Sequence, residues 1–257
     1  MNHSATIASV DSVVKLSRTL QAQPGYPSSL PFILGEGNSL ARQGGPGLSN
    51  TFGASLWGVD ASLLFAANNV SRFHMHQGTN YRYQAWQPVD TARTSIGTKA
   101  PYYGNIATAA FLGDLTEPAL RPQVVNLVLP GGPETAAAYA SYVQDSLAKL
   151  MLINLQDYNT TADNKYTNSD ARGSRTFSLQ IPNSCEGKTA VVQRLVANGS
   201  DSVSGVTFDG YSYNYELDNG KPVLLANVSR GETLKVQRGG RVSVGVPDSS
   251  AALITFR

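Results

Sequence analysis

Pro31-Phe-Ile-Leu-Gly-Glu-Gly-Asn-Ser39 has the pattern of an apolar strand that runs directly into one glutamate between two glycines. A buried carboxylate is costly unless it is paired or used in chemistry. Barrel enzymes place catalytic groups at the C-terminal tips of their strands, and flanking glycines let a ligand approach the backbone closely. The pattern therefore predicts a buried parallel strand with Glu36 as a candidate catalytic residue. The alternative is that Glu36 only caps or salt-bridges a loop.

The first 113 residues alternate helix and strand patterns, which is typical of a parallel sheet or a (β/α) barrel. A helix over about 9–23 precedes the strand 31–35, and Ser49 and Asn50 are N-cap candidates for a helix that ends near residue 68. A strand over 70–76 and a helix over 103–112 follow. Because the chain opens inside an amphipathic helix, we expect its beginning to be missing.

After residue 113 the pattern changes to short β runs separated by turns, which is typical of an antiparallel β-sandwich. The stretch 134–152 is Ala-rich and has helical propensity, and only 151–155 at its end has a buried β pattern. We therefore predict an α/β domain over 1–113 and an all-β domain over 114–257, packed on each other. The β runs are 124–129, 150–155, 176–181, 190–196, 206–213, 223–228, 233–236, 241–246 and 252–256.

Charge and composition exclude several classes of partner. The 257 residues are 41% hydrophobic and 15% charged with a net charge of +2, and the basic residues are scattered, so no nucleic-acid surface is expected. No run approaches the roughly 20 apolar residues that span a bilayer. Cys185 is the single cysteine, which rules out an internal disulfide, and it lies in a predicted turn away from any histidine, so it is not expected to be a nucleophile. Its role and the oligomeric state stay open.

Five glycosylation sequons favour a secreted glycoprotein, although a chain rich in Asn, Ser and Thr also produces sequons by chance. Residues 1–20 contain no apolar h-region, so we predict that the chain carries no signal peptide. The sequons begin at Asn2, Asn69, Asn159, Asn198 and Asn227.

Two histidines lie at the end of the second predicted strand, 70–76. In a strand, His74 and His76 share one face and Phe73 and Met75 share the other, so we expect the apolar pair to face the helices and the histidines to lie beside Glu36. A His-X-His metal site needs at least a third ligand, and none is evident nearby. We therefore predict no metal and no cofactor, and assign the histidines to substrate hydrogen bonding or to a structural role.

Aromatic and amide side chains cluster in the segments that follow the two strands. Tyr81, Tyr83 and Trp86 follow the histidines, while Asn38 follows Glu36 and Gln77 follows His76. Aromatic rings beside amides suit a sugar, which has an apolar face and a rim of hydroxyls. The alternative is that the rings attach this loop to the sandwich.

Six motifs in a fixed order resemble glycoside hydrolase family 79, the β-glucuronidases and heparanase-like enzymes, and are most similar to its fungal secreted members. They are Glu36-Gly-Asn-Ser39, Gly47-Leu-Ser-Asn-Thr-Phe-Gly-Ala-Ser-Leu-Trp57 with Asp60, His74-Met-His-Gln-Gly78, Pro101-Tyr-Tyr-Gly104, Val206-Thr-Phe-Asp-Gly210 and Pro247-Asp-Ser-Ser-Ala251.

This resemblance implies a retaining hydrolase whose nucleophile ends the seventh strand of a (β/α)8 TIM barrel, the position that Glu36 matches. Strand 70–76 would then be the eighth strand, so that 1–113 holds the last two βα units and 114–257 the C-terminal β-sandwich. The family's acid/base follows the fourth strand, upstream of these residues. Family glucuronidases hold the uronate with loop amides and tyrosine hydroxyls. Here Arg42, nearby glycine amides and Tyr81 or Tyr83 are available.

The function expected from this resemblance is that of a C-terminal fragment of a retaining glycoside hydrolase acting on β-glucuronides or related glycosides. We expect it to be secreted, and inactive alone because the acid/base glutamate is missing. Glu36 would be the nucleophile, and the side chains that orient the sugar would be those of Asn38, His74, His76, Gln77, Tyr81, Tyr83 and Trp86. The alternatives are a non-catalytic carbohydrate-binding or scaffold sandwich with a barrel remnant, and a truncated product that folds poorly.

Overall fold

A computed structural model describes residues 1–27, 30–129, 134–160 and 170–256. Its first part alternates helices and strands as predicted, with a small unpredicted ribbon before the last helix. No helix in these ranges is long and apolar enough to cross a bilayer. The elements are α1 (His3–Gln21), β1 (Ile33–Gly37), α2 (Phe52–Ala67), β2 (Arg72–Met75), the ribbon strands β3 (Trp86–Gln87) and β4 (Gly97–Thr98), and α3 (Ala100–Leu112).

Strands β1 and β2 form a parallel pair connected through α2. The expectation that β1 is buried is wrong, because its residues are exposed or half-buried and Ile33 is 39% exposed. In the described part of the chain β1 pairs with β2 alone, so its other edge has no strand partner there. On β2 the half-buried residues are Phe73 and Met75. Phe73 packs against the helical core, as the strand alternation predicted.

The second part is β-rich and antiparallel, as predicted. Within the described ranges nine strands form one sheet, in which β13 pairs with β9 beside the order β12-β11-β10-β9-β15-β7-β6-β5. A second pair, β8 and β14, lies outside this sheet. The elements are β5 (Gln123–Asn126), β6 (Ala136–Val143), β7 (Ser146–Asn154), β8 (Ser174–Gln180), β9 (Thr189–Val196), β10 (Thr207–Phe208), β11 (Tyr211–Ser212), α4 (Tyr215–Asp218), β12 (Val223–Leu224), β13 (Glu232–Lys235), β14 (Arg241–Pro247) and β15 (Ser250–Phe256).

The Ala-rich stretch is a β-hairpin, so its helical propensity was misleading. Strand β6 pairs with β7 through the two-residue turn Gln144-Asp145, where both residues have positive φ (48° and 59°). This geometry corresponds to a type I′ hairpin turn, whose twist matches that of the strands. Strand β6 is buried along most of its length, so tertiary packing outweighs the intrinsic preference of its alanines for helix.

The large sheet has an apolar core on each face. One core joins α1, α2 and α3 to side chains such as Tyr139, Met151 and Leu253, and the other packs the sheet against β8 and β14. The sandwich is therefore unequal, with helices on one face and a two-stranded pair on the other. Cys185 is 2% exposed in the second core, where it packs as a small apolar side chain. The predicted packing of the two parts on each other is confirmed, while a domain boundary at residue 113 stays a prediction.

The N-terminus of α2 is bound by a loop of the sandwich. Its N-cap is Thr51, the residue after the predicted candidates Ser49 and Asn50. The Thr51 side chain makes no capping hydrogen bond. Instead, the backbone N–H of Phe52 donates to the carbonyl oxygen of Ser202 and that of Gly53 to Ser200, both at 2.7 Å. The first N–H groups of a helix have no partner within it, so this loop supplies the acceptors that the helix needs.

Asp60 on α2 is fully buried and bonded from two other elements. The Oη of Tyr139 on β6 lies 2.6 Å from Oδ1 of Asp60, and Nδ1 of His3 on α1 lies 2.9 Å from the same oxygen. Asn126 on β5 contacts Nε2 of His3 at 3.4 Å. Burial lowers the pKa of His3, but the hydrogen bond and charge of Asp60, with a contribution from Asn126, outweigh burial and raise it above its ordinary value.

Helices α2 and α3 touch through their backbones. A Cβ on Gly104 would lie 2.5 Å from the carbonyl oxygen of Ser55, and Ser55 Oγ donates to the carbonyl oxygen of Ala100. Next to this contact, Tyr103 Oη donates to Asn214 Oδ1 at 2.8 Å and accepts from the backbone N–H of Tyr213 at 2.8 Å. Helix α3 is thereby attached both to α2 and to the sandwich.

The arch between β14 and β15 contains the motif Pro247–Ala251, one of the six, and its hydrogen bonds explain the role of these residues. Asn154 Nδ2 donates to Asp248 Oδ1 at 2.9 Å, and the Arg172 guanidinium donates to the carbonyl oxygens of Asp248 and Ser249 at 2.7 and 2.8 Å. Ser249 has φ +50°. These bonds hold the arch where the chain passes from one sheet to the other.

The His3–Asp60 pair predicts a pH-dependent stability. The folded-state pKa of His3 lies above its unfolded value of 6.5, so above pH 6.5 the native state binds more protons than the unfolded state. The stabilisation is complete below pH 6.5 and is lost as the pH rises through the folded-state value, with a slope of at most about 1.4 kcal/mol per pH unit. Denaturant unfolding between pH 5.5 and 8.5 measures it.

His3→Gln should flatten this pH dependence. The matched control is His74→Gln, because His74 is exposed and should leave the slope unchanged. An identical slope in His3→Gln and in the original chain would contradict the assignment.

Gly104→Ala should destabilise the protein by about 1–3 kcal/mol, because the added methyl group overlaps the α2 backbone. Asn105→Ala is the control on the same helix, since Asn105 is exposed and should change the free energy of unfolding by less than about 0.5 kcal/mol. Equal unfolding midpoints for the two variants would show that the helices separate without cost.

Candidate active site

Glu36 lies in an irregularity at the end of β1. Leu34 pairs with Phe73 and Gly37 with Met75, so β1 has one more residue than β2 between these two pairs. Such a β-bulge bends a strand and redirects side chains, and bulges are frequent beside active sites. Beyond the bulge the ladder resumes, because the backbone N–H of His76 donates to the carbonyl oxygen of Gly37 at 2.9 Å. Glu36 is exposed at this point.

His76, Tyr81 and Tyr83 form a three-ring cluster next to Glu36. The His76 and Tyr81 rings stack with centroids 5.4 Å apart, and Tyr83 meets both rings edge-on. Tyr83 Oη lies 3.1 Å from His76 Nδ1. Burial raises the pKa of the Tyr83 hydroxyl above its ordinary value, and Tyr81 and the Glu36 carboxylate raise it further. The hydroxyl therefore keeps its proton at neutral pH and can donate it to His76.

Asn38 and Gln77 bond to the backbone of the two segments that follow β1 and β2. Asn38 Nδ2 donates to the carbonyl oxygen of His76 at 3.1 Å, and its Oδ1 accepts from the N–H of Ser39 at 2.7 Å. Gln77 bonds to both Trp86 O and Ala85 N at 2.8 Å. Both amides hold the loops that carry the site. Their assignment to substrate binding stays a prediction.

The remaining predicted residues make no ring contact with the three-ring cluster in the described part of the chain. His74 is exposed, and its side chain makes no hydrogen bond within the described ranges. Trp86 is 49% exposed and lines a pocket with the ribbon and α4. Arg42 is exposed with φ +59°. The structure thus groups His76, Tyr81 and Tyr83 with Glu36.

A clamp between two loops was not predicted. The backbone N–H of Arg82 donates to the carbonyl oxygen of Gln43 at 2.8 Å, and its guanidinium reaches the carbonyl oxygen of Gly44 at 3.4 Å. Gly44 has φ +74°, and a Cβ there would lie 3.0 Å from the Tyr83 ring. The glycines within 44–47 indicated a tight loop in the sequence. Nothing in the sequence indicated that Arg82, nearly 40 residues further on, would bind this loop.

Metal binding has no geometric support in the described ranges, where no three His, Cys, Asp or Glu side chains are grouped for an ion. The prediction that no metal or cofactor takes part stays a prediction. The site has one exposed carboxylate, hydroxyl and imidazole hydrogen-bonding groups, and two stacked rings. This set can bind a polyhydroxylated ligand and supply a nucleophilic oxygen.

Comparisons with known proteins agree with the resemblance seen in the motifs. Residues 138–253 match the glycosyl hydrolase family 79 C-terminal beta domain. Over the whole chain, a beta-glucuronidase of Aspergillus niger is 48% identical and one of Neurospora crassa is 45% identical. The chain spans 47% and 50% of these relatives, about half of their length.

Solved structures share the fold. A 4-O-alpha-L-rhamnosyl-beta-D-glucuronidase from Fusarium oxysporum, in a Rha-GlcA complex, superposes with a TM-score of 0.73 at 24% identity, covering 99% of this chain and 49% of that one. An alpha-L-arabinofuranosidase from Thermotoga maritima superposes with a TM-score of 0.60 at 11% identity, covering 98% and 48%. At these identities the likeness describes the fold alone.

The Tyr83–His76 contact predicts one imidazole tautomer. If Tyr83 donates to Nδ1, neutral His76 carries its proton on Nε2, and ¹⁵N NMR of the imidazole nitrogens should report this form. Tyr83→Phe should mix the tautomers and lower the free energy of unfolding by about 0.5–1.5 kcal/mol. Tyr81→Phe keeps the stacked ring and should change neither the His76 tautomer nor the free energy of unfolding. An Nδ1-protonated His76 in the original chain would refute the assignment.

Proposed function

We propose, on the premise that this chain is related to glycoside hydrolase family 79 and matches its C-terminal portion, that it is the C-terminal part of a retaining glycoside hydrolase acting on β-glucuronides or related glycosides. Glu36 is the nucleophile of the proposed reaction. The single observation that carries this role is the bulge that presents the Glu36 carboxylate at the tip of a parallel strand, beside the three-ring cluster.

In the proposed architecture, β1, α2, β2 and α3 are the last two βα units of a (β/α)8 barrel. Within the described ranges β1 and β2 have no strand partners other than each other. Unpaired strand edges invite pairing with further strands, and in a barrel every strand has two neighbours. The exposed β1 supports this proposal, since adjacent barrel strands would cover it.

The proposed chemistry has two steps and needs two carboxyl groups. The ionised Glu36 attacks the anomeric carbon, an ester bond to the sugar forms, and the glycosidic bond breaks as the aglycone oxygen takes a proton from the acid. Water then hydrolyses the ester. The two carboxyl groups of retaining enzymes lie about 5–5.5 Å apart. Asp60 is buried with His3 and Tyr139, and Asp90 Oδ1 accepts from the N–H of Ile96 at 2.7 Å. Asp60 is enclosed and cannot serve as the acid. Because the family resemblance places the acid/base before these residues, we assign that role to a residue outside this chain.

The three-ring cluster has a proposed role in orienting the sugar. With Tyr83 Oη donating a hydrogen bond to Nδ1, neutral His76 presents Nε2–H as a donor to a sugar hydroxyl or to the uronate. Tyr81 stacks on His76 and adds a hydroxyl that makes no hydrogen bond to the described residues. Asn38 and Gln77 contribute by holding their loops, while Arg42 is a candidate contact for the uronate carboxylate.

Secretion also belongs to this proposal. All five sequon asparagines lie among the described residues. Asn2 is bonded as the N-cap of α1, whereas Asn69, Asn198 and Asn227 are exposed. Exposed sequons are compatible with a glycoprotein. The sequon at Asn159 ends at Thr161, which lies outside the described residues.

The alternative of a non-catalytic carbohydrate-binding or scaffold sandwich stays a prediction as well. Exposure of Glu36 is the observation that favours it. Catalysis and scaffolding differ in whether Glu36 forms a covalent bond with the sugar, so one experiment separates them.

A substrate whose leaving group needs no protonation tests the nucleophile. Incubated with 2,4-dinitrophenyl β-D-glucuronide, the purified chain should release dinitrophenolate and gain one glucuronyl unit on the peptide that contains Glu36, as measured by mass spectrometry. Methyl β-D-glucuronide should not react, because an alkoxide leaving group requires the acid. Glu36→Gln should abolish the adduct, and Glu117→Gln, which alters another exposed carboxylate, should not.

Two results would contradict the proposal. Hydrolysis of the methyl glucuronide by the chain alone, abolished by Glu36→Gln, would show that an acid is present. An adduct that persists in Glu36→Gln would assign the nucleophile to another residue.

A further inference from the structure

A pocket of about 410 Å³ lies between the β3–β4 ribbon and α4. Trp86 from β3, Tyr102 from α3 and Tyr215 from α4 line it. We call it the ribbon pocket. Its volume falls in the range of about 300–1,000 Å³ that small-molecule sites occupy.

The aromatic rings of the ribbon pocket are exposed beyond what packing requires. Trp86 is 49% exposed and Tyr215 is 38% exposed. Exposed aromatic surface is less favourable than the same surface covered by apolar groups. Two such rings on neighbouring elements form an apolar wall that a flat ligand can cover.

Polar groups accompany these rings. Gln87 lines the pocket and is 1% exposed, and its Nε2 makes no hydrogen bond to the described residues, although its Oε1 accepts from the N–H of Asn80. A buried donor without a partner is unfavourable, so an acceptor from a ligand would be favourable there. Thr98 and Asn219 add further polar groups to the lining.

The ribbon pocket carries no charge. Of the described residues that line it, none has a carboxylate, an ammonium, a guanidinium or an imidazole. Lys99 follows β4, and its Nζ donates to the carbonyl oxygen of Ser95 at 2.6 Å. A uronate would lose hydration in such a pocket without gaining a counter-charge. The chemistry therefore selects a neutral ligand with an apolar face and several hydroxyls, which describes a neutral pyranose.

The pocket is linked to the candidate active site by a braced loop. The loop begins at β2 next to His76 and ends at Trp86, and Gln77 crosses it to donate to the carbonyl oxygen of Trp86. This hydrogen bond braces the loop that joins the two sites, so it restrains the distance between them, as subsites for successive sugars of one glycan require.

We infer that the ribbon pocket binds a neutral pyranose of the glycan to which the reacting sugar is attached, with the sugar face against Trp86 and Tyr215. This inference rests on the proposed function, because it treats the pocket as a second subsite of the same glycan. Binding of the neutral sugar itself needs neither Glu36 nor the acid.

Saturation-transfer NMR on the full 257-residue chain tests this site with methyl β-D-galactopyranoside and methyl β-D-xylopyranoside as neutral probes. We expect transfer to their ring protons, reduced progressively by Trp86→Phe and Trp86→Ala and at least fivefold by Tyr215→Ala. Leu217→Ala is the matched control, since Leu217 lies on the same short helix, is 48% exposed and does not line the pocket.

The outcomes separate this inference from the proposed function. Neutral probes should bind Glu36→Gln as they bind the original chain, so a failure of covalent labelling at Glu36 overturns the nucleophile and leaves the pocket standing. Absence of transfer to both neutral probes overturns the pocket. Transfer that persists in Tyr215→Ala and Trp86→Ala also overturns the pocket, provided that thermal unfolding shows both variants folded. So does saturation transfer to methyl β-D-glucuronide that depends on these two residues as strongly as transfer to the neutral probes does.

Discussion

The fold depends on a carboxylate that has no access to water. Asp60 lies at the centre of α2 with 0% exposure, and such a group is tolerated only where other residues bond to it. Tyr139 reaches it from β6 of the large sheet and His3 reaches it from α1. One side chain therefore fixes two helices on one face of the large sheet. Removing either partner would leave a buried charge short of hydrogen bonds, which is far more costly than the loss of a surface pair.

Much of the architecture was predictable because local sequence patterns determine it. The change from helix–strand alternation to short β runs after residue 113 is visible in the sequence, and so is the alternation that directs Phe73 and Met75 to one face of β2. The hairpin β6–β7 was missed because alanine favours helix in isolation, whereas burial within the large sheet decides its state here. Its turn, Gln144-Asp145, lacks the glycine that usually marks a type I′ turn.

The candidate site was predictable in residue type and less so in arrangement. Glu36, His76, Tyr81 and Tyr83 could be selected from their positions after strands, but the bulge that presents Glu36 depends on pairing between β1 and β2. The bonds of Asn38 and Gln77 depend on loop paths that no local pattern encodes. His3, which no sequence motif singled out, bonds to a residue 57 positions away. Each of these features arises from contacts between distant segments.

The loop that supplies carbonyl oxygens to the start of α2 limits how this chain can be recombined with its relatives. Because the Phe52 and Gly53 donors are matched to the carbonyl oxygens of Ser202 and Ser200, the helix and the loop form one inheritable unit although about 150 residues separate them. A chimera that exchanged the sandwich and kept the helices would join a helix to a loop selected in another protein. Crossovers that transfer both segments together preserve the match.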